Sequence, residues 1–124
     1  MRDLRFRAWD PVKREMFRVF RLTWHGQSRT GYWLQVNIRS EQPNKAYVLM
    51  QFTGLQDKDG TEIYEGDLLR ITHRRSREHM FLASVEFERG MFRDSCHHLP
   101  LGEAITIEVV GNIYENPELA NRGG

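Results

Sequence analysis

Between Met50 and Ile71 the chain reads MQFTGLQDKDGTEIYEGDLLRI, and these 22 residues constrain the fold more than any other stretch. Two turn signals and two strand signals fill it, with hardly a position left for irregular loop. An apolar run ending at Phe52 leads into Thr53-Gly54-Leu55, and Asp57-Lys58-Asp59-Gly60 then closes a tight turn. Asp accepts hydrogen bonds from neighbouring backbone N–H groups, and Gly takes the positive φ that a short hairpin loop requires. After Ile63-Tyr64, the triplet Glu65-Gly66-Asp67 makes a second corner and launches Leu68-Leu69-Arg70-Ile71.

The rest of the chain follows the same grammar. Leu4 to Trp9 alternates with period two, which places Leu4, Phe6 and Ala8 on one face and Arg5, Arg7 and Trp9 on the other. Asp10-Pro11 opens a turn that doubles the chain back into Met16 to Leu22, where the alternation slips between Val19 and Phe20 as a bulge or a short helical turn would make it. Tyr32 to Ile38 restores alternation, and Ser40 to Lys45 reads as the boundary between an N-terminal and a C-terminal part. Thr72 to His79 is polar enough for an exposed hairpin tip. Met80 to Glu88 is a strand with Phe81, Ala83, Val85 and Phe87 inward, and Arg89-Gly90 turns it into Met91-Phe92-Arg93. Asp94 to Gly102 is loop or a single helical turn. Ala104 to Tyr114 is a long β-branched strand kinked at Gly111, and Asn116-Pro117 ends it. Short strands at turn-punctuated spacing predict an all-β barrel or sandwich.

A chain of 124 residues is the size of one domain and long enough to bury a core without disulfides. Its single cysteine, Cys96, has no internal partner, so a reducing compartment is expected. The start, Met1 to Arg7, alternates charge with apolar residues and does not read as a signal peptide, and no run approaches the roughly 20 apolar residues of a membrane span. A cytoplasmic protein that does not enter the membrane is the expectation. The net charge of +1 conceals a division, because residues 1 to 47 carry ten basic and four acidic side chains, +6, and the remainder carries −5. Opposite signs on two segments favour their packing together or head-to-tail association of chains, and they also offer a basic face to a polyanion.

Four motifs, in order along the chain, resemble one family. Arg5-Phe6-Arg7-Ala8-Trp9-Asp10, Met50-Gln51-Phe52-Thr53-Gly54-Leu55 with Asp57-Lys58-Asp59-Gly60, Ile63-Tyr64-Glu65-Gly66-Asp67, and Gly111-Asn112-Ile113-Tyr114-Glu115-Asn116-Pro117 are together similar to the YopX family of small phage and prophage proteins. The resemblance implies a mainly β protein. Its C-terminal part, residues 48–119, would be an SH3-type barrel, with the antiparallel strands of residues 1–47 packed on it or exchanged with it and a frayed tail over 120–124. It carries over no activity, and its glycines read as turn and bend residues.

Candidate chemistry is weighed residue by residue. Asp57, Asp59 and Glu62 have carboxylates at calcium-like alternation, but the glycine and the last acid fall at the wrong places for a helix-loop-helix site. Cys96-His97-His98, with His73 and His79 in reserve, lacks the separated pairs of structural zinc sites, and neighbouring residues of an extended segment point to opposite sides. Cys/His nucleophilic catalysis further needs an oxyanion site that no motif supplies. Glu62, Glu65 and Asp67 read as a turn rather than a glycosidase acid pair. No catalytic residue, metal or cofactor is therefore expected. Arg70, Arg74, Arg75 and Arg77, beside His73, remain as a basic tip able to neutralise phosphates, with Phe81, Phe87 or Phe92 as aromatic neighbours. The leading expectation is a non-catalytic binding or assembly module acting through contacts with an unidentified protein partner and through self-association as a homo-oligomer. A nucleic-acid-binding accessory factor is second and a hydrolase a distant third.

Overall fold

The computed structural model describes residues 4–19, 21–24, 32–37, 40–43, 47–76 and 79–123. They are mainly β, with antiparallel pairing throughout. In chain order the strands are β1 (Phe6–Asp10), β2 (Glu15–Val19), β3 (Arg21–Trp24), β4 (Tyr32–Asn37), β5 (Ser40–Pro43), β6 (Val48–Gln56), β7 (Glu62–Tyr64), β8 (Asp67–Thr72), β9 (Phe81–Glu88), β10 (Met91–Asp94) and β11 (Thr106–Asn112), and one helix, α1 (Pro117–Gly123), closes the series. Two compact units divide the chain between Gln51 and Phe52, inside β6.

In the N-terminal unit β1 lies between β2 and the first half of β6, and β3, β4 and β5 form a separate three-stranded sheet. The Asp10-Pro11 signal acts as expected, because the Asp10 carboxylate accepts the N–H groups of Val12 and Lys13 at 2.9 and 3.1 Å and the chain returns with Glu15 opposite Asp10. Trp9, expected on the outer face, is only 4% exposed, with the Arg14 guanidinium 5.8 Å from its ring centroid. Leu4, expected inward, precedes the strand and is exposed. Ser40–Pro43, read as a link, is strand β5. Phe20, Ile38, Asn44 and Lys45 lie outside the described residues.

The C-terminal unit is a four-stranded sheet in the order β10-β9-β8-β11, together with the second half of β6 and β7. Its core is Ile63, Leu69, Ile71, Phe81, Ala83, Val85, Leu101 and Ile107. Five of them, Leu69, Ile71, Phe81, Ala83 and Val85, are the alternate residues of β8 and β9 that the period-two pattern places on one face. Phe87 breaks the expected series at 49% exposed. The pairing of β9 with β8 ends at Ser84, and Phe87 lies against its cross-strand partner Phe92 at 4.8 Å. The outer strands β10 and β11 do not pair with one another among the described residues, so the mainly β class stands without a demonstrated SH3-type closure.

The turns explain the glycines. Arg89 and Gly90, at φ 52° and 80°, form the mirror-image two-residue loop that matches the twist of β9 and β10. At Gly111 a Cβ would collide with the Asn116 side chain, whose Oδ1 accepts the Asn112 N–H at 3.1 Å. Asn112 in turn accepts the N–H groups of Tyr114 and Glu115 at 3.1 and 2.8 Å. The sequence from Gly111 to Pro117 is thus a folded corner, and Pro117, which lacks an N–H, starts α1. Ala120 to Gly123, expected in a tail, are the last residues of that helix. The kink foreseen at Gly111 is a bulge, since the register against β8 shifts between Val109 and Gly111.

Candidate functional site

Two of the acids that invite a metal or catalytic reading, Asp57 and Asp67, are occupied by backbone. Asp57 Oδ1 accepts the N–H groups of Asp59 and Thr61, both at 2.9 Å, and Oδ2 accepts the Val109 N–H at 3.0 Å. Lys58 N–H adds a bond to the Ile107 carbonyl at 3.0 Å, so the turn after β6 is stitched to β11. The Val109 N–H, helped by those of Thr61 and Asp59 and by Lys58, holds the Asp57 carboxyl below the usual carboxylate range against the opposing effect of burial. Asp67, also buried, accepts the Tyr64 N–H at 2.8 Å across the Glu65-Gly66 corner, and Glu62 accepts the Tyr64 hydroxyl at 3.1 Å. The two aspartates build turns.

Cys96, His97 and His98 are arranged around a residue the sequence reading passed over. Asp94, 1% exposed at the end of β10, accepts the N–H groups of Cys96, His97 and His98 on Oδ1 at 3.0, 2.6 and 3.2 Å and that of Leu99 on Oδ2 at 3.0 Å. The three side chains diverge from this hub. Cys96 is exposed, the His97 ring stands edge-on to Phe81 at 4.5 Å, and His98 Nδ1 lies 3.1 Å from Glu86 Oε1. Glu86 also accepts from Arg93 at 2.7 Å. No group of three potential ligands converges among the described residues.

The basic tip divides. Arg70, on the outer face of β8, pairs with Glu108 directly across on β11 at 2.9 Å, and Lys58 reaches the other oxygen of Glu108 at 3.1 Å. Glu108, and then Asp59, hold the Lys58 ammonium above its ordinary range. Arg75 meets Glu103 at 3.4 Å, with both side chains largely in solvent. Arg74 is exposed, and Arg77 lies outside the described residues. Arg74 and Arg75 share the wall of an open cleft of about 540 Å³ with His73, Glu103, Ala104 and Ile105, a wall Arg70 does not join. A second cleft, about 290 Å³, runs beside Leu55 to Lys58 and Leu101 to Ile107.

Of this hairpin connection, His73 departs most from expectation. It is 4% exposed rather than at an exposed tip, because the inward alternation Leu69, Ile71 continues one step past the end of β8. Carrying the period-two count beyond Ile71 would have found it. Asp94 had a weaker signal, an Asp where a strand gives way to Ser95-Cys96, the place where a carboxylate gathers loop N–H groups.

The fold is shared with known proteins. The crystal structure of protein EF1440 from Enterococcus faecalis is similar at a TM-score of 0.73 and 29% identity, over 97% of this chain and 99% of that one. The crystal structure of protein yopX from Bacillus subtilis is similar in fold at a TM-score of 0.64 and 24% identity, over 94% of this chain and 95% of that one. No curated protein matches the chain. The family described as YopX protein matches residues 5–121, which include all four motifs and both compact units almost entirely, and the chain belongs to that family.

Proposed function

We propose that this protein is a non-catalytic binding and assembly module that acts through contacts with other proteins and through self-association. The observation that carries the reading is the partition of charge between the two compact units. Leu4–Gln51 holds nine basic and three acidic side chains, +6, and the rest of the chain totals −5. Units of opposite sign on every copy favour head-to-tail contact and raise encounter rates. Exposed apolar side chains, Leu4 and Val12 on one unit and Met80, Phe87 and Ile105 on the other, supply contact area that charge alone does not. Asp57 and Asp67, two of the carboxylates open to a hydrolase, instead hold turns together. On this reading the module acts in the cytoplasm of a cell carrying a phage or prophage, which the family resemblance supports.

Sedimentation velocity tests this at about 0.01 M and about 1 M salt, between which the Debye length falls from about 30 Å to about 3 Å. Assembly at low salt that dissolves at high salt is expected, and a strict monomer at both refutes self-association. A second reading, a nucleic-acid accessory factor using Arg70, Arg74, Arg75 and Arg77, is favoured by the placement of Arg74 and Arg75 on one cleft. The ion pairs of Arg70 and Arg75 weigh against it. It requires steeply salt-dependent binding to mixed single- and double-stranded DNA and RNA that the triple substitution Arg74→Ala, Arg75→Ala, Arg77→Ala removes.

A further inference from the structure

The turn after β8 leaves one buried polar atom without a partner. His73 Nδ1 accepts the Arg75 N–H at 3.1 Å. That bond fixes the tautomer: the lone pair is on Nδ1, so the proton is on Nε2, which acts as a donor. Nε2 is closed to solvent and has no hydrogen-bond partner among the described residues. A buried donor without an acceptor destabilises a fold, and an acceptor that reaches it from outside relieves that cost. A metal cation does not fit, because ligation through Nε2 moves the ring proton onto Nδ1 and against the Arg75 N–H.

His73 is part of the wall of the 540 Å³ cleft, and the groups around it point to one ligand chemistry. Arg74 and Arg75 bring two guanidiniums, whose planar forks match the oxygens of an anion. The bond of Arg75 to Glu103 is long at 3.4 Å and lies in solvent, so it exchanges readily for a better acceptor. Ile105, more than half exposed, and Ala104 give the cleft an apolar side. The geometry points to this cleft as a binding site for a phosphate group, carried by a small ester or by a nucleic-acid backbone. The phosphate replaces the Glu103 carboxylate on Arg75. Its oxygens accept from Arg74, and from His73 Nε2 once the Ser76 N–H bond to the His73 carbonyl, 3.2 Å long, opens while the Arg75 N–H keeps its bond to Nδ1. This site stands independently of self-association.

The test is a titration of the ¹⁵N-labelled full chain with inorganic phosphate, read by NMR against sodium chloride at matched ionic strength. Saturable shifts of the His73 ring nitrogens and of the Ala104 and Ile105 amides are expected, with half-saturation on the order of 1 mM, as two or three charge-assisted hydrogen bonds at an open site supply. Glu103→Gln, which removes the competing carboxylate, tightens binding several-fold. Arg75→Gln weakens it by about a factor of ten, one charge-assisted hydrogen bond. His73→Phe weakens it too while leaving the circular dichroism spectrum and Tm unchanged or the Tm raised, since the orphan donor is gone. Shifts no larger than the chloride control, binding indifferent to both Arg75→Gln and Glu103→Gln, or a His73→Phe chain that binds as before would each overturn the site. Adenosine monophosphate and a single-stranded oligonucleotide, added separately, distinguish the sources. The one that saturates the same peaks at lower concentration than inorganic phosphate carries the phosphate, and failure of both refutes the assignment.

Discussion

Replacing Asp57 by Asn keeps the volume of the side chain and removes its charge, which makes it a clean probe of the turn that ties β6 to β11. The wild-type carboxylate accepts three backbone N–H groups at 2.9, 2.9 and 3.0 Å. In the variant the Oδ1 bonds to Asp59 and Thr61 survive as neutral ones, each weaker by about 1 kcal/mol. The amide NH₂ then faces the Val109 N–H, donor against donor, and the lost bond with its unsatisfied group costs about 1–3 kcal/mol. Water reaches the exposed Asp59 and Thr61 amides and recovers part of the first loss, so the expected destabilisation is about 2–4 kcal/mol, or a fall of about 10 °C in Tm. All three tryptophans, Trp9, Trp24 and Trp33, precede Phe52 and report on the other unit, so the assay is urea unfolding by far-UV circular dichroism, with exchange of the Val109 amide proton as a local readout. The pH dependence has a definite sign. A carboxyl whose folded pKa lies below its ordinary value of 3.8 contributes stability that is complete above that value and lost as pH falls through the folded pKa. The wild type therefore exceeds Asp57→Asn in stability fully at neutral pH and progressively less once the pH drops below about 4. A difference under about 1 kcal/mol that is the same at neutral and acid pH would refute this account of the turn.

Asp94→Ala strands four loop N–H groups around a residue that is 1% exposed, and a loss of about 3 kcal/mol or more is expected in the same unfolding assay, with the amides of Cys96 to Leu99 exchanging freely. Gly111→Ala drives a Cβ into the Asn116 side chain, whose Cγ would lie 2.9 Å away, so Tm falls by an amount equivalent to about 1–3 kcal/mol and amide exchange in α1 quickens first. Gly90→Ala meets open space but keeps a φ of 80°, so its cost is limited to about 1–2 kcal/mol of backbone strain, measured by chemical unfolding. Arg70→Gln breaks an exposed pair and should change stability by less than about 1 kcal/mol, with the difference vanishing in high salt.

Much of this was legible locally. Alternation in β9 named the core residues Phe81, Ala83 and Val85, and the turn residues at Asp10-Pro11, Asp57 to Gly60, Glu65-Gly66 and Arg89-Gly90 marked the chain reversals. Both signals depend on near neighbours: side-chain direction repeats every second residue, and a turn is decided by which φ its own residues tolerate. The misreadings fall where a distant strand decides. Trp9 is buried although alternation put it on the outer face, and Phe87 is exposed beyond the point where β8 ceases to pair with β9.

The candidate site was legible as a set of residue types and no further. Sequence by itself determined that the chain is mainly β, where its corners lie, and that its charge is split along its length. Only the tertiary structure decided which charges remain available, since Arg70 meets Glu108 across 38 residues and Arg75 meets Glu103 across 28. It also decided that the Asp57 carboxylate answers an N–H 52 residues away. Strand pairing sets those distances, and pairing is a property of the whole sheet that no window of sequence contains.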